Sequence, residues 1–438
     1  MERKIEKYFA SWKDSSGRMP LIVVGARQVG KTYSILSFGN NNYNNVAYFN
    51  FESNPDLQQI FQRDLNPVRL VQELSVLIGI TITPENTLIF FDEIQACEQA
   101  LTSLKYFNEE ASEFHIIAAG SLLGVAVNRN QFSYPVGKIE KINMYPLDFE
   151  EFLWAMGQKT GCDLILKHFH DHTEFSLHTK FLDFYYHYLA LGGMPQVVKE
   201  FIEKKDFNFV VALQKNINDA YVADMAKYAT PDETSRIMAA FNTIPAQLAK
   251  ENRKFQYKLI KTGARAYEFE SALDWLQASG VAHKCVKVNE GNFPLQMHTE
   301  PSAFKIYLSD NGLLCSKFAI APHFLISGNR IVEKIKGVFT ENFVMNSLIA
   351  NHFQPYYWES QGKAEVDFVV QMNDGNVIPI EVKSSENVRS KSLKQFIDKY
   401  KPVYSVRVST KNFGFENRIK SIPLYALHCF TNNYNLEI

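Results

Sequence analysis

Four short runs in the first third of the chain are mostly apolar: Leu21–Val24, 46–52 ("VAYFNFE"), 87–93 ("TLIFFDE") and 114–121 ("FHIIAAGS"). Amphipathic stretches with helical spacing separate them. One is "NPDLQQIFQRD", for which Asn54 is the expected N-cap and Pro55 the first helical residue. Apolar strands alternating with helices predict a parallel sheet covered on both faces. From 148 onward the pattern changes to long aromatic-rich helices, "LDFEEFLWAM" and "FLDFYYHYLALGGMP", the second broken by its Gly-Gly turn. Two further amphipathic helices, "SRIMAAFNTIPAQLAKEN" and "AYEFESALDWLQASG", precede strand-like "VAHKCVKVNEG" and "FKIYLSD". Helices followed by a two-stranded ribbon suggest a winged helix. A helix ("TENFVMNSLIANHF"), the strands "AEVDFVVQM" and "VIPIEVKS", the helix "SKSLKQFIDKY" and the strand "VYSVRVS" form a second, smaller α/β unit.

The expected organisation is therefore an α/β core over 1–148, a helical lid or connector over 149–232, a winged-helix-like unit over 233–330 and a small α/β domain over 331–438. A length of 438 residues agrees with several domains rather than one core.

Composition changes this picture little. The chain is 46% hydrophobic and 21% charged, a globular balance, and its net charge of −1 excludes a uniformly basic coat while leaving room for a local patch. The five cysteines are scattered, without a C-x-x-C pair, which fits a reducing compartment and offers no zinc site. The N-terminal "MERKIEKYFASWKD" lacks the apolar core of a signal peptide, and no apolar run reaches membrane length. The expectation is a soluble, cytoplasmic protein.

Chemistry enters at "VVGARQVGKT", which carries Gly25, Gly30, Lys31 and Thr32 in the pattern G-x-x-x-x-G-K-[ST]. A strand leads in and a helix can lead out, so backbone N–H groups and the positive helix end can face a phosphate. Gly25, Ala26, Arg27, Gln28, Val29, Gly30, Lys31, Thr32 and Tyr33 are the expected nucleotide-contacting residues. Asp92 closes the run "LIFF", where a carboxylate would share a Mg²⁺ ion with Thr32. Glu93, next along, is placed to take a proton from the attacking water. Lys31 would neutralise the β- and γ-phosphates. Ser121 ends another strand, either touching the γ-phosphate or water, or capping a following helix. Arg129 is the nearest arginine that could complete such a site from a neighbouring subunit.

A second constellation is "AEVDFVV … IPIEVKS", in which Asp367, Glu381 and Lys383 stand as D-x13-E-x-K. Residues i and i+2 of a strand share a face, so Glu381 and Lys383 point the same way. With Asp367 on the adjacent strand, two carboxylates could hold Mg²⁺ beside a lysine, and Glu341 on the preceding helix could add a third. The alternative is an ion pair on a solvated face or a site that keeps its charges without catalysis. His168, His170 and His172 read as solvated rather than metal-binding, and the aromatics of "FLDFYYHYLA" as helix core rather than a base-stacking platform. Residues 380–420 hold ten Lys and Arg against four Asp and Glu. Lys250, Arg253, Lys254, Lys258, Lys261 and Arg265 flank the winged segment, available for phosphates or for a protein partner.

The ordered set "GARQVGKT", "LIFFDEIQ", "AAGSLLG", "YPLDFEEFL", "LGGMPQVV", "IYLSDNGLL", "ENFVMNSL" and "AEVDFVV … IPIEVKS" resembles the prokaryotic AAA+-type ATPases that carry a C-terminal DUF4143 domain. The resemblance covers nearly the whole chain. It implies an α/β fold with a P-loop NTPase core, a helical lid, a winged helix, and a C-terminal domain similar to PD-(D/E)xK nucleases. It also implies ATP and Mg²⁺ as cofactors, with Walker A at Gly25, Gly30, Lys31 and Thr32, Walker B at Asp92 and Glu93, a sensor at Ser121, and nuclease-like positions at Asp367, Glu381, Lys383 and Glu341. Many relatives carry an arginine near the end of the core; here "YPVGKIEK" offers Lys138 instead. The leading functional expectation is an ATPase acting on DNA, with a nuclease-like C-terminal region. The alternative is an ATP-dependent switch or scaffold for a protein partner with an inert C-terminal domain. A homo-oligomer fits either, and a small-molecule kinase is disfavoured because no acceptor lid is recognisable.

Overall fold

The structure, a computed structural model, describes residues 1–121, 123, 137–326, 330–360, 364–385 and 391–432, and for 330–334 the backbone alone. The chain divides into two compact units, one of residues 2–145 with 278–280, the other of Met1, 146–277 and 281–438.

The first unit is a five-stranded parallel sheet in the order β2-β3-β4-β1-β5, from β1 (Leu21–Val24), β2 (Asn45–Asn50), β3 (Thr87–Asp92), β4 (His115–Gly120) and β5 (Glu140–Asn143). β1, β3 and β4 are buried at every position, as expected for strands with helices on both faces. Ile22, Phe49, Phe91, Leu74 and Leu101 share one core cluster with their neighbours. The short β5 alternates partly buried with exposed residues and carries no apolar run, which is why its sequence does not announce it. Residues 55 and 56 form a turn, and the helix expected from Asn54 and Pro55 begins only at Leu57–Gln62. The helix Pro67–Ile78 has the expected type of start instead: Asn66 caps it by accepting the Arg69 N–H at 3.1 Å, with Pro67 at its first position.

The second unit opens with helices at Phe149–Ala155, Lys159–Asp171, His178–Leu191, Pro195–Lys204, Phe207–Tyr228, Pro231–Leu248 and Ala266–Ala278. The aromatic stretch at 181–188 is helix core, as Tyr185 and Tyr188 pack on Phe149 and Phe343. Its strands are β6 (Ala282–Val288), β7 (Thr299–Leu308), β8 (Tyr356–Ser360), β9 (Ala364–Gln371), β10 (Val377–Val382), β11 (Ser405–Ser409), β12 (Gly414–Glu416) and β13 (Ile419–Pro423). They form one mixed sheet in the order β12-β13-β11-β10-β9-β8-β6-β7.

Here the structure differs from the expected free ribbon. β6 and β7 do pair antiparallel, but the other edge of β6 runs parallel to β8. The hairpin is thus the outer edge of an eight-stranded sheet that crosses the boundary expected at 330. Pairing of β8 with both β6 and β9 satisfies backbone groups that a separate ribbon would leave at an edge.

Two motifs that looked unconnected in sequence meet in this unit. Asp310 caps the helix Asn311–Lys317 by accepting the Leu313 N–H at 2.8 Å, and it also accepts the Gly193 N–H at 2.6 Å. A Cβ on Gly192 would lie 2.2 Å from Asp310 Oδ1, and one on Gly193 would lie 2.0 Å from the Leu147 carbonyl oxygen. The "LGGMP" glycines therefore make room for a carboxylate and a crossing backbone. No helix among the described residues is long and apolar enough to cross a membrane.

Candidate functional site

β1 delivers the chain to Gly25, where an added Cβ would lie 2.1 Å from the Met144 carbonyl oxygen, so only glycine fits. Gln28 and Gly30 adopt φ of 66° and 97°, which curls residues 25–30 into a loop before the helix Lys31–Asn42. Arg3 braces this loop from behind, donating to the carbonyls of Val29 and Tyr145 at 2.8 Å each. Ala26 and Val29 are buried, Arg27 is partly exposed, and Tyr33 is exposed on the outgoing helix.

Lys31 Nζ donates to the carbonyls of Gly25 and Ala26 at 2.9 Å each, spanning the loop interior. Thr32 Oγ1 donates to Asp92 Oδ2 at 2.9 Å, and Tyr48, on the adjacent strand β2, donates to the same oxygen at 3.0 Å. Burial raises the Asp92 carboxyl above its usual pKa; the Thr32 and Tyr48 bonds work against that shift, and the neighbouring Glu93 charge adds to it. A hydroxyl beside a carboxylate, at the mouth of a phosphate-type loop, is the donor set a Mg²⁺ ion uses, so these residues fit that ion.

Glu93 has left the strand and stands at φ 49°, its N–H donating to Asp92 Oδ1 at 3.0 Å. Its Oε2 accepts from Gln95 Nε2 at 2.6 Å and lies 3.5 Å from the Ser121 hydroxyl. Ser121 meets Glu93, a contact that neither reading of its sequence position named; the helix it would cap falls largely outside the described residues, as does Arg129. Lys138 is paired with Glu109 at 3.1 Å.

Sequence reasoning missed Arg3, Tyr48 and Gln95. Tyr48 had a signal, a hydroxyl on a strand two positions before Asn50, which pairs in register with Asp92. Gln95 lies two residues beyond Glu93 and carries no motif of its own.

The second constellation does assemble. Antiparallel pairing of Ile380 with Phe368 sets Glu381 on β10 opposite Asp367 on β9. Lys383 lies one residue past β10, still bonded to Val408 through its backbone, with Nζ 2.5 Å from Glu381 Oε1. Asp367 Oδ2 accepts the Val382 N–H at 2.7 Å. Glu341 is buried on the helix Arg330–Ala350.

Two cations absent from the motif join this set. Arg253 Nη1 lies 2.5 Å from Glu341 Oε2, while Lys305 Nζ lies 3.6 Å from Glu341 Oε1 and 2.6 Å from Glu365 Oε1. Burial disfavours the Glu341 charge, but Lys305 and Arg253 outweigh it and hold the pKa below the usual value. Burial, then Glu381 and Glu341, push Asp367 well above the usual carboxyl range. A divalent ion would have to displace the internal cations on Glu341, so this set does not fit one. Among the described residues, no three His, Cys, Asp or Glu side chains are disposed to hold a metal ion.

The flanking basic residues split into two groups. Lys250 donates to Gln256 at 2.8 Å, Arg253 meets Glu341, and Lys254 meets Glu359 at 2.5 Å. Lys258, Lys261 and Arg265 are exposed. His168 sits 2.9 Å from the Thr173 hydroxyl and stacks near Phe413, an ordinary helix-end arrangement.

Residues 17–153 match the family model of the AAA domain. Residues 182–323 match a domain of unknown function, DUF8612, and 336–427 another, DUF4143. A search of curated proteins finds no match. Among solved structures, a Walker-type ATPase of Pyrococcus abyssi is similar at 13% identity and a TM-score of 0.44, covering 72% of this chain and 95% of that one. The ORC2 protein of Aeropyrum pernix, in ADPNP–ADP complexes, is similar at 11% and 0.36, covering 77% and 94%. The ORC1 protein of Aeropyrum pernix in complex with DNA is similar at 12% and 0.30, covering 76% and 92%. Similarity at that level does not carry over a partner or an activity.

Proposed function

We infer that this chain, which carries an AAA-type P-loop ATPase domain and a C-terminal DUF4143 domain, hydrolyses ATP in a Mg²⁺-dependent reaction and couples the cycle to its second unit. The observation that carries this reading is the convergence of Lys31, Thr32, Asp92 and Glu93 at one end of the parallel sheet. Mg²⁺, held by Thr32 and Asp92, would neutralise developing phosphate charge. Lys31 exchanges its two loop carbonyls for β- and γ-phosphate oxygens, and the N–H groups of 25–30 face the same anion. Glu93 accepts the proton of the attacking water, with Gln95 and Ser121 holding its carboxylate in place. Tyr33, exposed beside the loop, is available to the nucleoside.

The target is the finer part of this proposal. Exposed Lys258, Lys261 and Arg265 support contact with DNA phosphates. Arg253 and Lys254 are turned inward onto carboxylates, which removes two cations from that surface and favours a switch directed at a protein partner or a second copy of the chain. Five buried free thiols support a reducing, cytoplasmic setting.

The test is ATP turnover by the purified protein with and without single- and double-stranded DNA, beside Lys31→Ala. Turnover lost in that variant and indifferent to DNA supports the switch. Stimulation by DNA, lost in the variant, makes DNA the target instead. Turnover that survives Lys31→Ala refutes the site.

A further inference from the structure

We propose that the carboxylates of the C-terminal sheet are neutralised by the chain's own cations, Lys305 and Arg253 supplying the charge that a divalent metal would bring. This goes beyond the ATP reading, and its failure would leave that reading intact.

Burying Glu341 and Glu381 beside a partly buried Asp367 is costly unless positive charge or N–H donors meet them. In a cleaving site of this chemistry the compensation is a metal ion. Here each oxygen of Glu341 faces a different side chain of the protein, Arg253 at Oε2 and Lys305 at Oε1. Lys305 also holds Glu365, and Lys383 holds Glu381.

The two extra cations come from the segment before the nuclease-like motif, and the fold commits them. Lys305 has no exposed surface, and its ammonium sits 5.0 Å from the centre of the Tyr357 ring. It pairs in register with Cys285 inside the β6–β7 hairpin, so the strand pairing fixes where its side chain starts. Arg253 adopts φ 49°, a left-handed backbone conformation that strains a residue with a Cβ. The turn is closed by its N–H to the Lys250 carbonyl at 3.2 Å and delivers the guanidinium to Glu341. The strain is thus tied to the ion pair.

The eight-stranded sheet gains from this arrangement. Glu341 on a helix, Lys305 on β7 and Glu365 on β9 are bound across three elements, locking the hairpin to the C-terminal strands without a metal. Three carboxylate oxygens argue for the opposite outcome: Glu381 Oε2 and both oxygens of Glu341, which meet Arg253 and Lys305 only as ion-pair contacts, are buried with no hydrogen-bond partner, and a divalent ion would have to use them. The experiment is aimed there.

The full chain bearing Lys31→Ala and Asp92→Asn, which disable the P-loop metal position, is melted without nucleotide in chelator and in MnCl₂. Bound Mn²⁺ is counted in parallel by its electron paramagnetic resonance. The expected result is an unchanged melting temperature and no bound Mn²⁺. In the same background Lys305→Met melts several degrees lower, and Mn²⁺ restores part of the loss. Arg253→Gln, nearer the surface, serves as the second variant if Lys305→Met does not fold. Mn²⁺ binding by the chain with Lys305 and Arg253 intact, abolished by Asp367→Asn, overturns the proposal. Failure of Mn²⁺ to rescue either variant overturns the substitution of these cations for a metal.

Discussion

Replacing Asp310 by Ala removes the acceptor that joins the Gly193 turn to the helix Asn311–Lys317. Two buried N–H groups, those of Gly193 and Leu313, then lose partners at 2.6 and 2.8 Å. Each buried donor left unsatisfied costs about 1–3 kcal/mol, so the expected loss is about 2–6 kcal/mol. The pH dependence sharpens the test. Burial raises the Asp310 pKa from the ordinary carboxyl value to about 6, with the N–H bonds of Gly193, Leu313 and Gly312 working the other way. A carboxyl with a raised folded-state pKa stabilises most below its unfolded value and loses that contribution as pH rises through the folded value. The wild-type advantage over Asp310→Ala therefore shrinks by about 2 kcal/mol between pH 4 and pH 7. Urea unfolding followed by tryptophan fluorescence reads this directly, since Trp154, Trp275 and Trp358 all belong to the unit that contains Asp310. ATP binding in the other unit stays unchanged. A loss under about 1 kcal/mol at pH 5, or an advantage that grows with pH, would refute the reasoning.

Glu93→Gln is expected to lower kcat for ATP by about 10²–10⁴-fold while nucleotide affinity holds, as removal of a general base should; equal loss in both would point to a binding role. Gln95→Ala frees the Glu93 carboxylate from its 2.6 Å donor and should reduce kcat about tenfold with KM within about twofold. A parallel rise in KM would show that Gln95 only supports the loop. Burial lowers the Lys420 pKa to about 7, so the folded state holds this proton more weakly than the unfolded chain. Stability accordingly rises with pH from about 7 towards 10, and Lys420→Met should flatten that slope in urea midpoints. An identical slope in the variant would place the titration elsewhere.

The parallel core was legible because burial on both faces leaves an apolar run in each of β1, β3 and β4, and because the turn at Gly25 to Thr32 carries a fixed local spacing of glycines. β5 escaped notice, since four edge residues of mixed polarity carry no such pattern. The D-x13-E-x-K spacing likewise predicted a shared location for Asp367, Glu381 and Lys383, as two paired strands require. The same local logic failed at Asn54 and Pro55, where the cap signal was present and the chain turned twice before becoming helical.

Sequence by itself thus determined the glycine loop at Gly25 to Thr32, the Asp92 that ends its strand with Glu93 just beyond it, and the strand pair of the C-terminal unit, each fixed by contacts between near neighbours or by the two-residue period of a strand. Only the tertiary structure decided what those charges meet. Tyr48 reaches Asp92 through the register of adjacent strands, Asp310 reaches Gly193 across more than a hundred residues, and Arg253 and Lys305 reach Glu341 through a sheet that runs past its expected boundary. A buried charge is compensated by whatever the fold brings within a few ångströms, and that proximity has no spacing along the chain to betray it.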